Sequence, residues 1–157
     1  MRKKQLEPGY EAAKEKALRL LEFRAHSEWE LRRKLADAGA AQEDIEHVAD
    51  FVREYHLVDD EAYAERLAAD LANLKKFGKH RISAELSRRG IDRDMWDEVL
   101  DAAPRDDSKI DKFISSRLTD PEDRDQVRKV SAALFRRGYS WEDIREALNR
   151  FNATIED

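Results

Sequence analysis

The chain has 157 residues and no cysteine, and it is 41 % hydrophobic and 41 % charged, against roughly 25 % charged residues in an average globular protein. Thirty Lys and Arg stand against 35 Asp and Glu, a net charge of −5, which excludes generic attraction to a phosphate backbone and leaves any nucleic-acid contact to a local patch. The lack of cysteine excludes disulfides, thiolate zinc sites and a Cys nucleophile, and it is compatible with a reducing cytoplasm.

Five Gly and three Pro in so charged a chain favour long helices over sheets. Met1-Arg2-Lys3-Lys4 imitates the start of a signal peptide, but Gln5-Leu6-Glu7-Pro8 follows in place of an apolar run. No membrane-spanning or targeting segment is expected, and the reading is cytoplasmic. An amphipathic segment carrying Leu18 and Leu21 comes first. Ser27-Glu28-Trp29-Glu30 then has the form of a capping box and opens a second helix. That helix carries Leu31 and Leu35 one turn apart and ends at Gly39, suited to a left-handed C-terminal position. A third segment follows with Ile45 and Val48.

The same plan is written twice more. ELRRKLADAG (30–39), RISAELSRRG (81–90) and KVSAALFRRG (129–138) align with Leu31, Ile82 and Val130 in one column and Leu35, Leu86 and Leu134 in another. Six residues after each glycine stands Ile45, Trp96 or Ile144, and nine after stands Val48, Val99 or Ala147. In the middle copy the upstream segment carries Tyr63, Leu67, Leu71 and Leu74, and in the third Ile110, Phe113 and Ile114. Asp120-Pro121 predicts an N-cap followed by proline at the first helical position, and Ser140 opens the last helix.

The expected fold is all-α: about nine helices in three tandem three-helix repeats, forming an elongated or curved array because a unit this small buries too little alone. Residues 1–9 are read as a tail, 10–58, 59–104 and 105–157 as the repeats, the last with a C-terminal tail.

Catalytic signals are weak. His26, His47, His56 and His80 show no His-Glu-x-x-His pattern and are expected to be surface or capping residues. The carboxylates cluster at helix starts, where the dipole favours them. There is no glycine-rich phosphate loop. The chain is read as a non-enzyme with no cofactor and no metal. Trp96 and Tyr63 are expected in the core, Trp29 and Trp141 packed at helix entries.

Charge gathers in one region. Residues 75–93 hold Lys75, Lys76, Lys79, Arg81, Arg88, Arg89 and Arg93 against Glu85 and Asp92, a local +5. Arg32, Arg33 and Lys34 echo this in the first repeat, and Arg128, Lys129, Arg136 and Arg137 in the third. Part of the pattern is ordinary helix chemistry. Glu85 is within pairing distance along the helix of Arg81 and Arg88, Arg88 and Arg89 complement a helix C-terminus, and the Arg89 stem can pack while its head reaches solvent. These cations are nonetheless the candidate binding residues, with DNA phosphate or an acidic protein surface as the target.

Leu57-Val58-Asp59-Asp60-Glu61-Ala62-Tyr63-Ala64 resembles the segment between the first two repeats of RecX proteins, regulators of the RecA recombinase. Phe77-Gly78-Lys79-His80-Arg81-Ile82 with Glu85-Leu86 and Arg89-Gly90-Ile91 resembles the family's next segment, and Ala17 to Leu21 with Ser27 to Leu31 and Lys34-Leu35 its first repeat. The resemblance is strongest over residues 14–100. It implies three tandem three-helix repeats and a monomer that binds the RecA–DNA filament, binds DNA weakly, and suppresses strand exchange, ATPase and coprotease activity. It carries no catalytic residue. Two other functions fit the residues alone: a helix–turn–helix DNA-binding protein, and a helical-repeat adaptor for another protein. Against the first, Leu35, Leu86 and Leu134 stand where a tight helix crossing wants a small residue.

Overall fold

The computed structural model describes residues 8–103 and 107–155. Among these residues there are nine α-helices, one 3-10 turn and no strand. The helices are α1 (Tyr10–Phe23), α2 (Glu28–Asp37), α3 (Gln42–Glu54), α4 (Asp60–Asn73), α5 (Lys79–Arg88), α6 (Trp96–Ala102), α7 (Asp107–Arg117), α8 (Arg124–Arg136) and α9 (Trp141–Arg150). None is long and apolar enough to cross a membrane. Among the described residues two compact units emerge, one of residues 8–66 with 86–96 and the other of 67–85 with 97–103 and 107–155.

In the first unit α1, α2 and α3 pack on one another around Ala13, Ala17, Leu31, Leu35, Ile45, Val48 and Val52. In the second, α7, α8 and α9 pack likewise, around a core that includes Ile110, Ile114, Leu118, Val130, Leu134, Ile144 and Leu148. The Leu31, Ile82, Val130 column and the Leu35, Leu86, Leu134 column of the sequence are therefore buried columns of the fold.

All three repeats end their second helix in the same way. The amide after each glycine reaches back to a leucine carbonyl, Ala40 to Leu35, Ile91 to Leu86 and Tyr139 to Leu134, at 3.0, 3.0 and 3.3 Å. The glycine amides bond Ala36, Ser87 and Phe135 carbonyls. This paired arrangement needs a left-handed residue at the glycine, and φ is +93°, +72° and +94° at Gly39, Gly90 and Gly138. The Ser27 capping box is complete: its hydroxyl accepts from the Glu30 amide and the Glu30 carboxylate accepts from the Ser27 amide, both at 3.1 Å. Ser140 caps α9 through the Asp143 amide.

Several expectations are corrected. Asp120-Pro121 does not open a helix; Asp120 accepts from the Glu122 and Asp123 amides in a turn, and Asp123 caps α8. An Asx-type turn competes successfully with helix here: the Asp120 carboxylate captures the Glu122 amide and its backbone carbonyl the Asp123 amide. In α4 the buried stripe is Ala64, Ala68 and Ala72, while Leu74 is exposed and Tyr63, Leu67 and Leu71 are only half-buried. In α1 it is Ala13 and Ala17, with Leu18 on the exposed side. In α1 the small side chains let the helix pack closely on α2 and α3, and in both helices the leucines stand on the flanks. Trp96 is half-buried, its indole N–H donating to the Ile91 carbonyl at 3.0 Å. Trp29 and Trp141 are exposed, the latter stacked on Phe135 with ring centres 4.8 Å apart. His26 is buried, not a surface residue.

Candidate anion-binding interface

The second unit builds its interface from the connection between α4 and α5. Lys76 takes a left-handed conformation there, φ +58°, a strain of about 1–3 kcal/mol for a residue with a side chain. Three hydrogen bonds hold it. The Tyr139 hydroxyl donates to the Lys76 carbonyl at 2.9 Å, the Gly78 amide to the Arg137 carbonyl at 2.7 Å, and the Phe77 amide to Leu71 at 3.1 Å. Gly78 and Gly138 lie backbone to backbone; a Cβ on Gly78 would sit 2.5 Å from the Gly138 oxygen. Basic residues before and after Gly78 are thus fixed onto the glycine turn that ends α8.

Lys75, Arg81, Arg117, Arg136 and Arg137 converge on an open groove of about 370 Å³ with Phe77 and Phe113 at its floor. The Arg81 guanidinium lies 4.7 Å from the Phe77 ring centre. Arg117 and Arg137 lie 4.5 and 4.6 Å from the Phe113 ring centre. A second hollow of about 470 Å³ shares Lys75, Phe113 and Arg137 and adds Lys76, Lys109 and Lys112. Among the described residues lining these two hollows none is acidic. Lys109 donates to the Ala72 carbonyl and the Asn73 side-chain oxygen at 3.0 and 2.9 Å, both neutral, so its charge is not cancelled by them. Glu85, its side chain only 13 % exposed, lies 3.9 Å from Arg81, at the outer limit of an ion pair.

The first unit treats its cations differently. Arg89 donates to the Tyr63 hydroxyl at 3.0 Å and lies 3.7 Å from the Glu30 carboxylate, which Arg24 also bonds at 3.1 Å. The head of Arg89 is engaged by these groups while its side chain stays 36 % exposed. Burial pushes the Glu30 carboxyl up, but the hydrogen bonds of Tyr63, Ser27 and Arg24 outweigh it and hold the group below its usual range. Lys34 donates to His26 Nε2 at 2.9 Å, and His26 Nδ1 donates to the Arg24 carbonyl at 2.9 Å. The carbonyl can only accept, which places the imidazole proton on Nδ1 and leaves Nε2 for the ammonium. Burial first, then the Arg24 and Lys34 charges, lower the His26 pKa.

Of the other sequence candidates, Arg32 bonds Glu46 at 3.1 Å and lies 3.4 Å from Glu28, and Arg33 covers the Trp29 ring at 5.0 Å. Arg93 lies 5.7 Å from the Trp96 ring centre, Arg128 pairs with Asp125 at 2.6 Å, and Lys79 lies 3.5 Å from Asp101. Arg88 and Lys129 are exposed. The second unit thus brings Lys75, Lys76, Arg81, Arg136 and Arg137 together. Sequence reasoning missed Lys109, Lys112, Arg117 and the part played by Phe113 and Phe77. A signal existed: Lys109, Phe113 and Arg117 are spaced four apart along one face of α7, but Phe113 reads as core.

Fold and interface together define a class, the tandem three-helix-repeat proteins, here with a basic surface groove. The particular family follows from comparison. Its profiles match in order: "RecX, first three-helix domain" over residues 13–51, the second over 59–100 and the third over 115–148. The chain belongs to the RecX family. Regulatory protein RecX of Clostridium tetani is 31 % identical over 151 residues, covering 92 % of this chain and 69 % of the relative. That of Trichlorobacter lovleyi is 34 % identical over 142 residues, covering 85 % and 92 %. The crystal structure of RecX from Lactobacillus salivarius superposes with a TM-score of 0.78 at 20 % identity, over 91 % of this chain and 96 % of that one. A second crystal structure of regulatory protein RecX gives 0.77 at 21 % identity, over 90 % and 73 %. At those identities the likeness is one of fold.

Proposed function

We propose that this protein regulates the RecA recombinase by binding the RecA–DNA filament and inhibiting its recombinase, ATPase and coprotease activities. The observation that carries the reading is the full set of three RecX helical domains, in order, across the chain. The net charge of −5 disfavours tight independent binding to DNA, while the local basic groove suits weak contact with a strand already held by another protein. The reading includes action as a monomer in the cytoplasm, without cofactor and without chemistry of its own.

The test is the single-stranded-DNA-dependent ATPase of RecA, measured with and without substoichiometric amounts of this protein. Inhibition is expected. An unchanged ATPase at low salt, where weak ionic contacts form, would sink the reading, and tight salt-sensitive binding to duplex DNA in the absence of RecA would point to a free-standing DNA-binding protein instead.

A further inference from the structure

Two of the three glycine turns are covered by the head of the preceding repeat's second helix. Ser27, the N-cap of α2, donates its hydroxyl to the Arg89 carbonyl at 2.6 Å, and Trp29 lies on Gly90. Gly78, at the same place before α5, donates its amide to the Arg137 carbonyl at 2.7 Å, and the His80 amide reaches the Gly138 carbonyl at 3.0 Å. Both times a donor at a helix head meets the carbonyl that precedes a left-handed glycine. Gly90 is half-buried as a result, and Gly138 buried.

The turn at Gly39 has the same conformation, φ +93°, and lacks this cover. Gly39 is exposed. Among the described residues no donor meets the Ala38 carbonyl, the counterpart of the Arg89 and Arg137 carbonyls. Its charge is different too, since Asp37-Ala38 stands where Arg88-Arg89 and Arg136-Arg137 stand. Only Ala36 and Ala40 flank these residues, so no bulky side chain guards the turn.

The chain holds no spare copy of the element that fits. The heads of α2 and α5 are already in place on Gly90 and Gly138. In α8, Gln126 stands where Ser27 and Gly78 stand, but the helix begins before it, with Asp123 as N-cap. The Gln126 amide donates to Asp123 at 3.3 Å, and its side-chain oxygen accepts from the Thr119 and Asp120 amides, each at 3.0 Å. That head is closed on itself, which leaves the cover of Gly39 to another protein.

We propose that the turn at Ala38 and Gly39 is a docking site for the head of a helix in a partner protein, one with serine or glycine at the N-cap and a basic residue in its first turn. The N-cap donor bonds the Ala38 carbonyl, as Ser27 and Gly78 bond its counterparts. The basic residue reaches Asp37, as the Arg81 guanidinium reaches the carbonyl of Arg136, the counterpart of Asp37, at 3.4 Å. The head of α5 has this pattern, with Gly78 followed by Lys79 and Arg81. The site needs no recombinase and goes beyond that reading.

The probe is an acetylated peptide of residues 75–90, which carries the head of α5. It is titrated into the isotope-labelled full chain and read by backbone amide shifts. Short helices are marginal in water, so weak binding in fast exchange is expected. The Ala38, Gly39 and Ala40 amides are expected to shift, and those of the covered turns at Gly90 and Gly138 to stay. The same peptide with Gly78→Pro keeps every charge but loses the N–H donor, and is expected to bind about fivefold more weakly. In the protein, Asp37→Arg with Ala38→Arg installs the residues of the other two turns and is expected to weaken the peptide about fivefold at low salt.

Circular dichroism checks folding. If the double variant does not fold, Asp37→Lys alone, at an exposed position, is read in its place. Equal affinity for the proline peptide overturns recognition of a helix head, and shifts centred on Gly138 overturn the site. Shifts of the Ala38 to Ala40 amides with protein concentration, without peptide, make a second copy the occupant and overturn the partner reading. The RecA ATPase result bears on none of these outcomes, so either reading can fail alone.

Discussion

At Gly90 and at Gly138 the start of one repeat's second helix meets the glycine turn of the next repeat, and the surrounding charges are handled in opposite ways. At Gly90 the Trp29 side chain lies where a Cβ would be, and the Ser27 hydroxyl donates to the Arg89 carbonyl at 2.6 Å. Arg89 then closes onto Tyr63 and Glu30. At Gly138 the contact is backbone on backbone, from Gly78 and from Arg81 at the start of α5. No acidic side chain stands among the described residues lining the groove beside it. Arg89 and Arg137 occupy the same place before their glycines, yet one is part of an internal ion network and the other faces a groove. What separates them is the partner that the fold delivers, Glu30 in the first case and Phe113 in the second.

The largest expected effect tests the contact itself. A Cβ on Gly138 would fall onto the Arg81 backbone nitrogen and Cβ, at φ +94°, so neither neighbour can yield. Gly138→Ala is expected to cost about 3 kcal/mol, left-handed strain and overpacking together. Gly90→Ala would place its Cβ 2.2 Å from Trp29 Cγ and 2.4 Å from Trp29 Cβ; only the indole beyond Cβ can rotate away, and the expected cost is about 2 kcal/mol. Urea denaturation of the two variants, read as midpoints at constant slope, checks the order. Equal losses would show that Trp29 is as fixed as backbone.

Next comes Glu30. Its carboxylate is nearly buried, while Arg24 and Arg89 are more than a third exposed, so screening reduces the cost of losing the pair. Glu30→Gln is expected to destabilise by about 2 kcal/mol at neutral pH. The folded-state pKa of Glu30 is lowered, so the unfolded chain takes the proton first. The carboxylate's contribution is therefore present above the unfolded value, about 4.3, and lost as pH falls through the lower folded value. Chemical denaturation of wild type and variant across that range should show their difference shrinking toward acid.

A smaller contrast separates the two arginines directly. Arg89→Ala is expected to cost about 1–2 kcal/mol through its charged hydrogen bonds, and Arg137→Ala about 0.5 kcal/mol through its contact with Phe113. Thermal melts of the two variants side by side decide whether Arg137 is held by the fold or presented by it.

The smallest effect lies at His26. Its pKa is lowered by burial, Arg24 and Lys34, so the unfolded state again binds the proton more readily. Stability is present above the unfolded value, about 6.5, and declines as pH falls toward the lower folded value. His26→Gln keeps an acceptor for Lys34 and is expected to flatten that slope, measured by melting temperature against pH.

Much of the architecture was legible in the residues. Leu31, Leu35, Ile82, Leu86, Val130 and Leu134 are buried where the aligned columns put them, because helical periodicity turns spacing into a face. The three glycines end helices because a left-handed position excludes most other residues, and Ser27 caps because its hydroxyl reaches an orphan amide within its own turn. These are local rules, satisfied within a few residues. The alanine stripe of α1 was not legible, since hydrophobicity favours leucine and only the approach of α2 and α3 prefers the smaller side chain.

The fate of each cation was decided at longer range. Glu30 and Arg89 are far apart along the chain, as are Arg81 and Arg136, whose carbonyl accepts from the Arg81 guanidinium at 3.4 Å. Sequence alone determined that this protein is three copies of a helical unit whose second helix ends in glycine and that its basic residues cluster near those glycines. Only the tertiary structure decided which of them are neutralised and which gather around Phe113, because a charge is set by everything within a few ångströms of it in space, and distance along the chain does not fix that.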